Sequence, residues 1–206
     1  MKRALDVVGG LLGLVLIAPV ALVGAVLVWT TMGRPVWFGA WRMGREGLPF
    51  RMWKLRTMRT VADRGAPVTV AGDPRITTVG RWLRACHLDE WPQFWHVVRG
   101  EMSLVGPRPE DPQFLCDYTE AHRALLRHRP GMTSPATLAC VDEASRLTHA
   151  DPVDQYRRVL LPAKLAMDLD YCNRATLWSD IGVLWCTARH IVRGGRARHA
   201  SHPRHQ

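Results

Sequence analysis

The longest apolar stretch comes first in the chain. From Val7 to Gly33 (VVGGLLGLVLIAPVALVGAVLVWTTMG) no residue carries a charge. As a helix this run would measure roughly 40 Å, against about 30 Å of bilayer hydrocarbon, so the pattern predicts a membrane helix. A secretory signal fits poorly, because the run is too long and no small-residue cleavage site precedes a polar mature start. Pro19, near the middle, removes one backbone donor and crowds the preceding turn, which predicts a kink. Both flanks are basic, with Lys2 and Arg3 before the run and Arg34, Arg42 and Arg45 after it. Basic flanks stay on the cytoplasmic side, which places both ends there. Two readings stand open on these grounds: a tilted, kinked transmembrane helix, and a re-entrant hairpin that enters and leaves one leaflet.

Beyond the run the periodicity is shorter and more broken. Arg34 to Arg59 mixes aromatic and basic residues and predicts short strands and loops at headgroup level, where Trp37, Trp41 and Trp53 are at home. Val61 to Gly72 reads as a loop. Asp73-Pro74 opens a helical stretch with Ile76, Val79 and Leu83 at helical spacing, and Arg81 and Arg84 share one of its faces. In HLDEWPQFWHVVRG, Pro92 fits only a first turn, so a helix is predicted from about Asp89 to Gly100. GPRP (Gly106 to Pro109) must be a rigid turn, and RPGMTSPAT another loop. Three further helical patterns follow, near Pro112–His128, Asp154–Leu169 and Leu177–Ile191. Arg193 to Gln206 has no apolar periodicity and reads as a disordered basic tail. No internal repeat is present.

Composition narrows the class. With 206 residues, 47% apolar and 22% charged, the chain can bury a core, and general disorder is excluded. The net charge of +10 is carried almost wholly by arginine and calls for an anionic partner. The five cysteines (Cys86, Cys116, Cys140, Cys172, Cys186) form no CxxC pair, so a disulfide framework or zinc module is not expected. They read as small buried apolar residues.

Candidate chemistry centres on Asp89 and Glu90. A helix start would place both carboxylates where free N–H groups point outward, a setting that also attracts phosphate. Arg84 lies just upstream, Arg108 sits in the stiff turn, and Lys54 and Arg56 come from the aromatic segment. Cations gathered round a carboxylate are what a carboxylate nucleophile needs to attack a phosphate, and a divalent ion could bridge the two. The plain alternative is that Asp89 and Glu90 are ordinary helix caps. Asp168-Leu169-Asp170 matches a DxD metal motif, but its helical setting favours a solvated face. His87 and His96 flank the dyad and read as core or surface residues rather than as a general base.

Six segments then occur in order: KRALDVVGG, the proline-broken apolar run, FRMWKLRTM, DPRITTVGRWLR, LDEWPQFWHVVRGEMSLVGPRP and RPGMTSPAT. Together they resemble the bacterial sugar transferase family, the small monotopic polyprenyl-phosphate phosphoglycosyl transferases, over about residues 1–192. The resemblance implies a mainly helical α+β fold with three parts. Residues 1–33 would form a re-entrant membrane helix-break-helix hairpin, broken at Ala18-Pro19. Residues 34–192 would form a compact, membrane-associated catalytic domain with short strands, and 193–206 the tail.

The implied activity moves a sugar-1-phosphate from a UDP-sugar to undecaprenyl phosphate and releases UMP, starting a lipid-linked glycan. It would take place on the cytoplasmic face of the bacterial inner membrane, among membrane lipids, with downstream glycosyltransferases as further partners. Asp89 matches the family nucleophile and Glu90 its dyad partner. The two would hold the cofactor, magnesium. Arg84, Arg108, Lys54, Arg56 and Arg129 are the implied phosphate and substrate ligands.

Departures from the family pattern are specific. Ala18 stands where a serine often precedes the proline, removing a hydroxyl that could satisfy a freed carbonyl. Glu101 replaces an aspartate, and MTSPATL replaces an ITGWAQ-type stretch. Whether Arg146 stands in for a later family arginine is open, and sugar specificity with it. Larger relatives carry transmembrane helices ahead of this unit, and the expectation here is a chain without them. Two other classes compete. A glycosyltransferase moving sugar alone would release UDP and use Asp168 and Asp170 for metal. A membrane-tethered nucleic-acid binder would explain the charge, but no reader motif is present, so no nucleic-acid partner is expected.

Overall fold

The computed structural model describes residues 1–59, 68–141, 143, 147 and 151–199, with side chains as far as Arg193. Helix α1 (Lys2–Met32) takes in the whole apolar run, with Pro19 inside it. The helix-break-helix expectation thus meets a single helical element. One missing donor costs one bond, and the turns on either side continue the ladder. The mean hydropathy of its most apolar window is 2.8. Val8, Leu12, Val15, Leu16, Leu22 and Val23 are exposed, while Gly10, Ala21, Gly24 and Val28 face protein.

Both ends of α1 are pinned to the same domain. At its start, Lys2 Nζ donates to Asp180 Oδ2 (2.5 Å) and to the Val105 carbonyl (3.0 Å). The Arg3 guanidinium donates to the carbonyls of Val97 and Val98. Buried Asp6 accepts from Ser103 Oγ and the Leu104 N–H. At its end, Arg56 donates to the carbonyls of Met32 and Gly33. Val28 there joins Leu55 and Leu83 in a small core cluster.

Strands β1 (Trp37–Met43) and β2 (Pro49–Leu55) form an antiparallel hairpin in the aromatic segment, with Phe38 opposite Lys54. Helix α2 (Thr78–Ala85) starts later than the Asp73-Pro74 reading, because Thr77 supplies the N-cap by accepting from the Gly80 N–H. Asp73 instead closes a turn on Arg75, whose guanidinium holds its carboxyl below the usual range despite burial. A 3-10 turn (Leu88–Glu90) precedes α3 (Gln93–Arg99), so Asp89 lies one turn ahead of the helix predicted to begin with it. Gly100, at φ 86°, ends α3 as expected.

The GPRP and RPG motifs meet through a parallel pair, β3 (Ser103–Val105) and β4 (Gly131–Thr133). Here Gly106 and Gly131 lie back to back, and a side chain on either would overlap the other's backbone. The Gly131 N–H donates to the Pro107 carbonyl, 2.9 Å.

The Pro112–His128 pattern resolves into a 3-10 segment (Pro112–Asp117), short α4 (Glu120–Arg123) and a second 3-10 segment (Ala124–Arg127). Helix α5 (Pro135–Ala139) follows β4. Helix α6 (Pro152–Gln155) passes through a π-helical turn (Tyr156–Leu160) into α7 (Leu161–Arg174). Helix α8 (Leu177–His199) takes in the first seven residues of the expected tail, and residues 200–206 lie outside the described part. The largest core cluster joins Phe114, Tyr118, Leu125, Tyr156, Leu161 and Leu165. The cysteine reading is corrected in part: Cys86, Cys116 and Cys186 are exposed, and Cys140 is buried.

Candidate active site

The dyad is set by the way α2 ends. Cys86 closes the helix and His87 turns left-handed, at φ 55°, sending the chain into the 3-10 turn of Asp89 and Glu90. A β-branched residue at that φ costs on the order of 1–2 kcal/mol more than glycine. His87→Val is therefore expected to lower the melting temperature measurably, with His87→Gly staying close to wild type in the same thermal scan.

Three cations converge on this turn. Lys54, from β2, donates from Nζ to Glu90 Oε1 at 2.5 Å. Arg84, in the last turn of α2, is held by its Nε donating to Thr57 Oγ1 at 2.8 Å and acts on Asp89 through its charge. Arg108, in the GPRP turn, acts on Glu90 from the other side. Asp89 is buried. Burial, and then the charge of Glu90, push its carboxyl well above the ordinary carboxylate range, against the pull of Lys54 and Arg84. Glu90 goes the other way: desolvation opposes its charge, but Lys54 and Arg108 outweigh it and hold the carboxyl low. Two adjacent carboxyls thus carry different proton affinities.

Two of the predicted ligands are engaged elsewhere. Arg56 binds the carbonyl end of α1, and Arg129 Nε donates to the Gly100 carbonyl at 2.8 Å, closing α3. Arg146 lies outside the described residues. Asp168 is a correction. Instead of a solvated face it is buried, with Oδ2 accepting the Arg108 backbone N–H at 2.9 Å and Oδ1 accepting from Ala136. Asp170 is exposed and pairs with Arg174, so the two aspartates do not form one metal site.

Behind Arg108 lies a buried charge network that sequence reasoning missed. Lys164 Nζ pairs with Glu110 Oε1 (3.1 Å) and Glu143 Oε2 (2.9 Å) and donates to Tyr156 Oη (2.6 Å). Tyr156 in turn donates to Glu110 Oε2 at 2.7 Å. Burial raises the proton affinity of Glu110, but Lys164 and Arg108 override it. Lys164 shares the apolar face of α7 with Leu161, Leu165 and Asp168, and a cation at a core position of a helical pattern was the available signal. Of the core and surface roles open to His96, the structure gives the core one: its Nε2 accepts the Trp53 N–H and its Nδ1 faces Glu101 Oε2 at 2.5 Å, bracing the strand that carries Lys54.

The bacterial sugar transferase profile matches residues 1–194. The chain belongs to that family. Among similar curated proteins is the UDP-glucose:undecaprenyl-phosphate glucose-1-phosphate transferase of Caulobacter vibrioides, 37% identical over 93% of this chain and 69% of that protein. The undecaprenyl-phosphate glucose phosphotransferase of Komagataeibacter xylinus is 36% identical over 93% of this chain and 36% of its own length. The UDP-N-acetylgalactosamine-undecaprenyl-phosphate N-acetylgalactosaminephosphotransferase of Aeromonas hydrophila is 33% identical, over 96% and 45%. The chain therefore spans less than half of two of these relatives. Within the bacterial sugar transferase family, the matched region takes in α1, the dyad turn and both proline-flanked motifs.

Proposed function

We propose that this chain transfers a sugar-1-phosphate from a UDP-sugar to undecaprenyl phosphate, with Asp89 as the nucleophile. The observation that carries the proposal is a buried aspartate beside a second carboxylate, ringed by Lys54, Arg84 and Arg108. An isolated buried carboxylate would be held neutral. Cations that lower its proton affinity, and that would also bind a diphosphate, suit a group that must be ionised when an anionic substrate arrives.

In the first step an Asp89 carboxylate oxygen forms a bond to the β-phosphorus of the UDP-sugar. The bond from that phosphorus to the bridging oxygen breaks, and UMP leaves with the electron pair. In the second, a phosphate oxygen of undecaprenyl phosphate attacks the same phosphorus and Asp89 departs as free carboxylate. Lys54 and Arg108 keep Glu90 ionised, while Arg84 acts on Asp89 through its charge. The dyad's hard oxygen donors and crowded negative charge fit a magnesium ion, which Asp89 and Glu90 would hold and which would neutralise diphosphate charge. Among the described residues no cluster of three or more metal-ligating side chains occurs, so substrate oxygens and water would complete such a site.

The chain would work at the cytoplasmic face of the inner membrane, α1 resting its exposed apolar face in lipid as a re-entrant element. Anchoring of both its ends to one domain supports that reading over a simple span. The exposed indoles of Trp41, Trp178 and Trp185 suit the same interface. Transfer of sugar alone, with Asp168 and Asp170 on a metal, is disfavoured because Asp168 is spent on the Arg108 turn.

Purified protein given a UDP-sugar panel and undecaprenyl phosphate is expected to release UMP. Without the lipid acceptor, mass spectrometry should find one phosphosugar on Asp89, labile to base as a mixed anhydride is. UDP as the product, with no adduct, would refute the mechanism.

A further inference from the structure

Pro19 lacks an N–H, so the Val15 carbonyl loses its donor within α1, and the ring presses on the turn before it. In that turn the Leu14 carbonyl accepts a hydrogen bond from outside the helix, from the indole N–H of Trp91 at 3.2 Å. Trp91 directly follows Glu90, so the bond joins the disturbed turn of the membrane helix to the dyad turn.

Helix α1 caps other carbonyls from within. Thr30 Oγ1 donates to the Val26 carbonyl at 2.9 Å and Thr31 Oγ1 to that of Leu27 at 2.6 Å, each four residues back. The same spacing makes residue 18 the position from which a hydroxyl would reach the Leu14 carbonyl. Residue 18 is alanine, whose backbone N–H serves the helical ladder and whose side chain has no second bond to give. In hydrocarbon, water cannot supply that second bond either.

We propose that Trp91 is a positioning residue that holds the proline turn of α1 against the dyad turn. Its indole gives the Leu14 carbonyl, already served by the helical ladder, a second bond that ties it to another element. The shape of the membrane helix and the placement of Asp89 are then coupled through one side chain. This inference rests on the re-entrant reading of α1 and on the sugar-phosphate transfer activity.

The test uses the full chain in bacterial inner-membrane vesicles, as wild type, Trp91→Phe and the double variant Trp91→Phe/Ala18→Ser. Phenylalanine keeps most of the ring and removes the N–H. UMP formation should fall about tenfold in kcat, the size of one lost hydrogen bond, with KM for the UDP-sugar within about twofold. Ala18→Ser, which touches neither dyad nor substrate and can bond the same carbonyl only from within α1, should leave that loss in place. Wild-type rates in Trp91→Phe overturn the inference. So does a loss that Ala18→Ser corrects, because satisfying the carbonyl rather than tying it to the dyad turn would then be the cause, and so does a failure of Trp91→Phe to fold, because ring packing would then be the cause. Protease protection of N- and C-terminal epitopes on the wild type tests the re-entrant reading by itself. Epitopes on opposite faces would remove that reading; epitopes on one face, with Trp91→Phe unaffected, would remove only the role of Trp91. Wild-type vesicles that form no UMP would refute the activity, and the inference with it.

Discussion

Asp89→Asn should yield a folded protein whose turnover is reduced at least about a thousandfold, since an amide cannot form the acyl phosphate. Its stability should hold or rise. The proton affinity of Asp89 is raised by burial and by Glu90, so the folded state resists its ionisation. Folding stability therefore falls as pH climbs from the ordinary aspartate pKa of ~3.9 through the higher folded value. Asparagine removes that slope. Thermal melts across pH 4–8 and UMP assays on the same preparations would check both halves. A carboxylate that merely shaped the 3-10 turn predicts the opposite pair: asparagine tolerated in catalysis, with no change in the pH slope. Asp89→Asn at near wild-type turnover would end the proposed mechanism.

Lys164→Met should be among the most destabilising single changes in the chain. It leaves Glu110 and Glu143 without their shared cation beside a core of Tyr156, Leu161 and Leu165. Breaking a buried pair from one side costs about 3–5 kcal/mol. At this chain length that corresponds to a fall in melting temperature of roughly 6–20 °C. Lys164→Met/Glu110→Gln should recover part of it, because the charge left behind causes most of the loss. If the double variant melted no higher than the single one, the cost would lie in packing instead of charge.

The parts of the fold governed by local rules were readable along the chain. Gly100 stopped α3 and the GPRP segment became a turn, whereas the apolar run kept one helix where a helix-break-helix was expected, and RPGMTSPAT gave β4 and α5 in place of a loop. The dyad and three of its cations came together as the motif order implied. Reading failed where a long-range partner decided the outcome. Asp168 looks like a surface residue until α7 packs under the GPRP turn, and its carboxylate meets a backbone N–H sixty positions away. Arg56 and Arg129 carry the right charge for phosphate, yet helix-terminal carbonyls take up their guanidinium groups. Thr77 outcompeted Asp73 as the α2 cap, a choice between two good cap residues that spacing could not make. The split of Pro112–His128 into short pieces follows from a periodicity that tolerates 3-10 and α turns alike.

The ties at the foot of α1 also impose a schedule on biosynthesis. Lys2 finds its carboxylate on Asp180, 178 residues further along. Arg3 and Asp6 have their partners between Val97 and Leu104. At about 5–20 residues per second, roughly 10–35 s separate synthesis of Lys2 from that of Asp180. During that interval the greasy helix exists while the polar residues at its base are unmatched. Lipid can accept the helix at once, whereas the final clamp must wait for α8. With α1 in lipid as proposed, arrival at the bilayer and locking of the enzyme would be separate events, and a ribosome stalled before Asp180 would leave that helix without its last bolt.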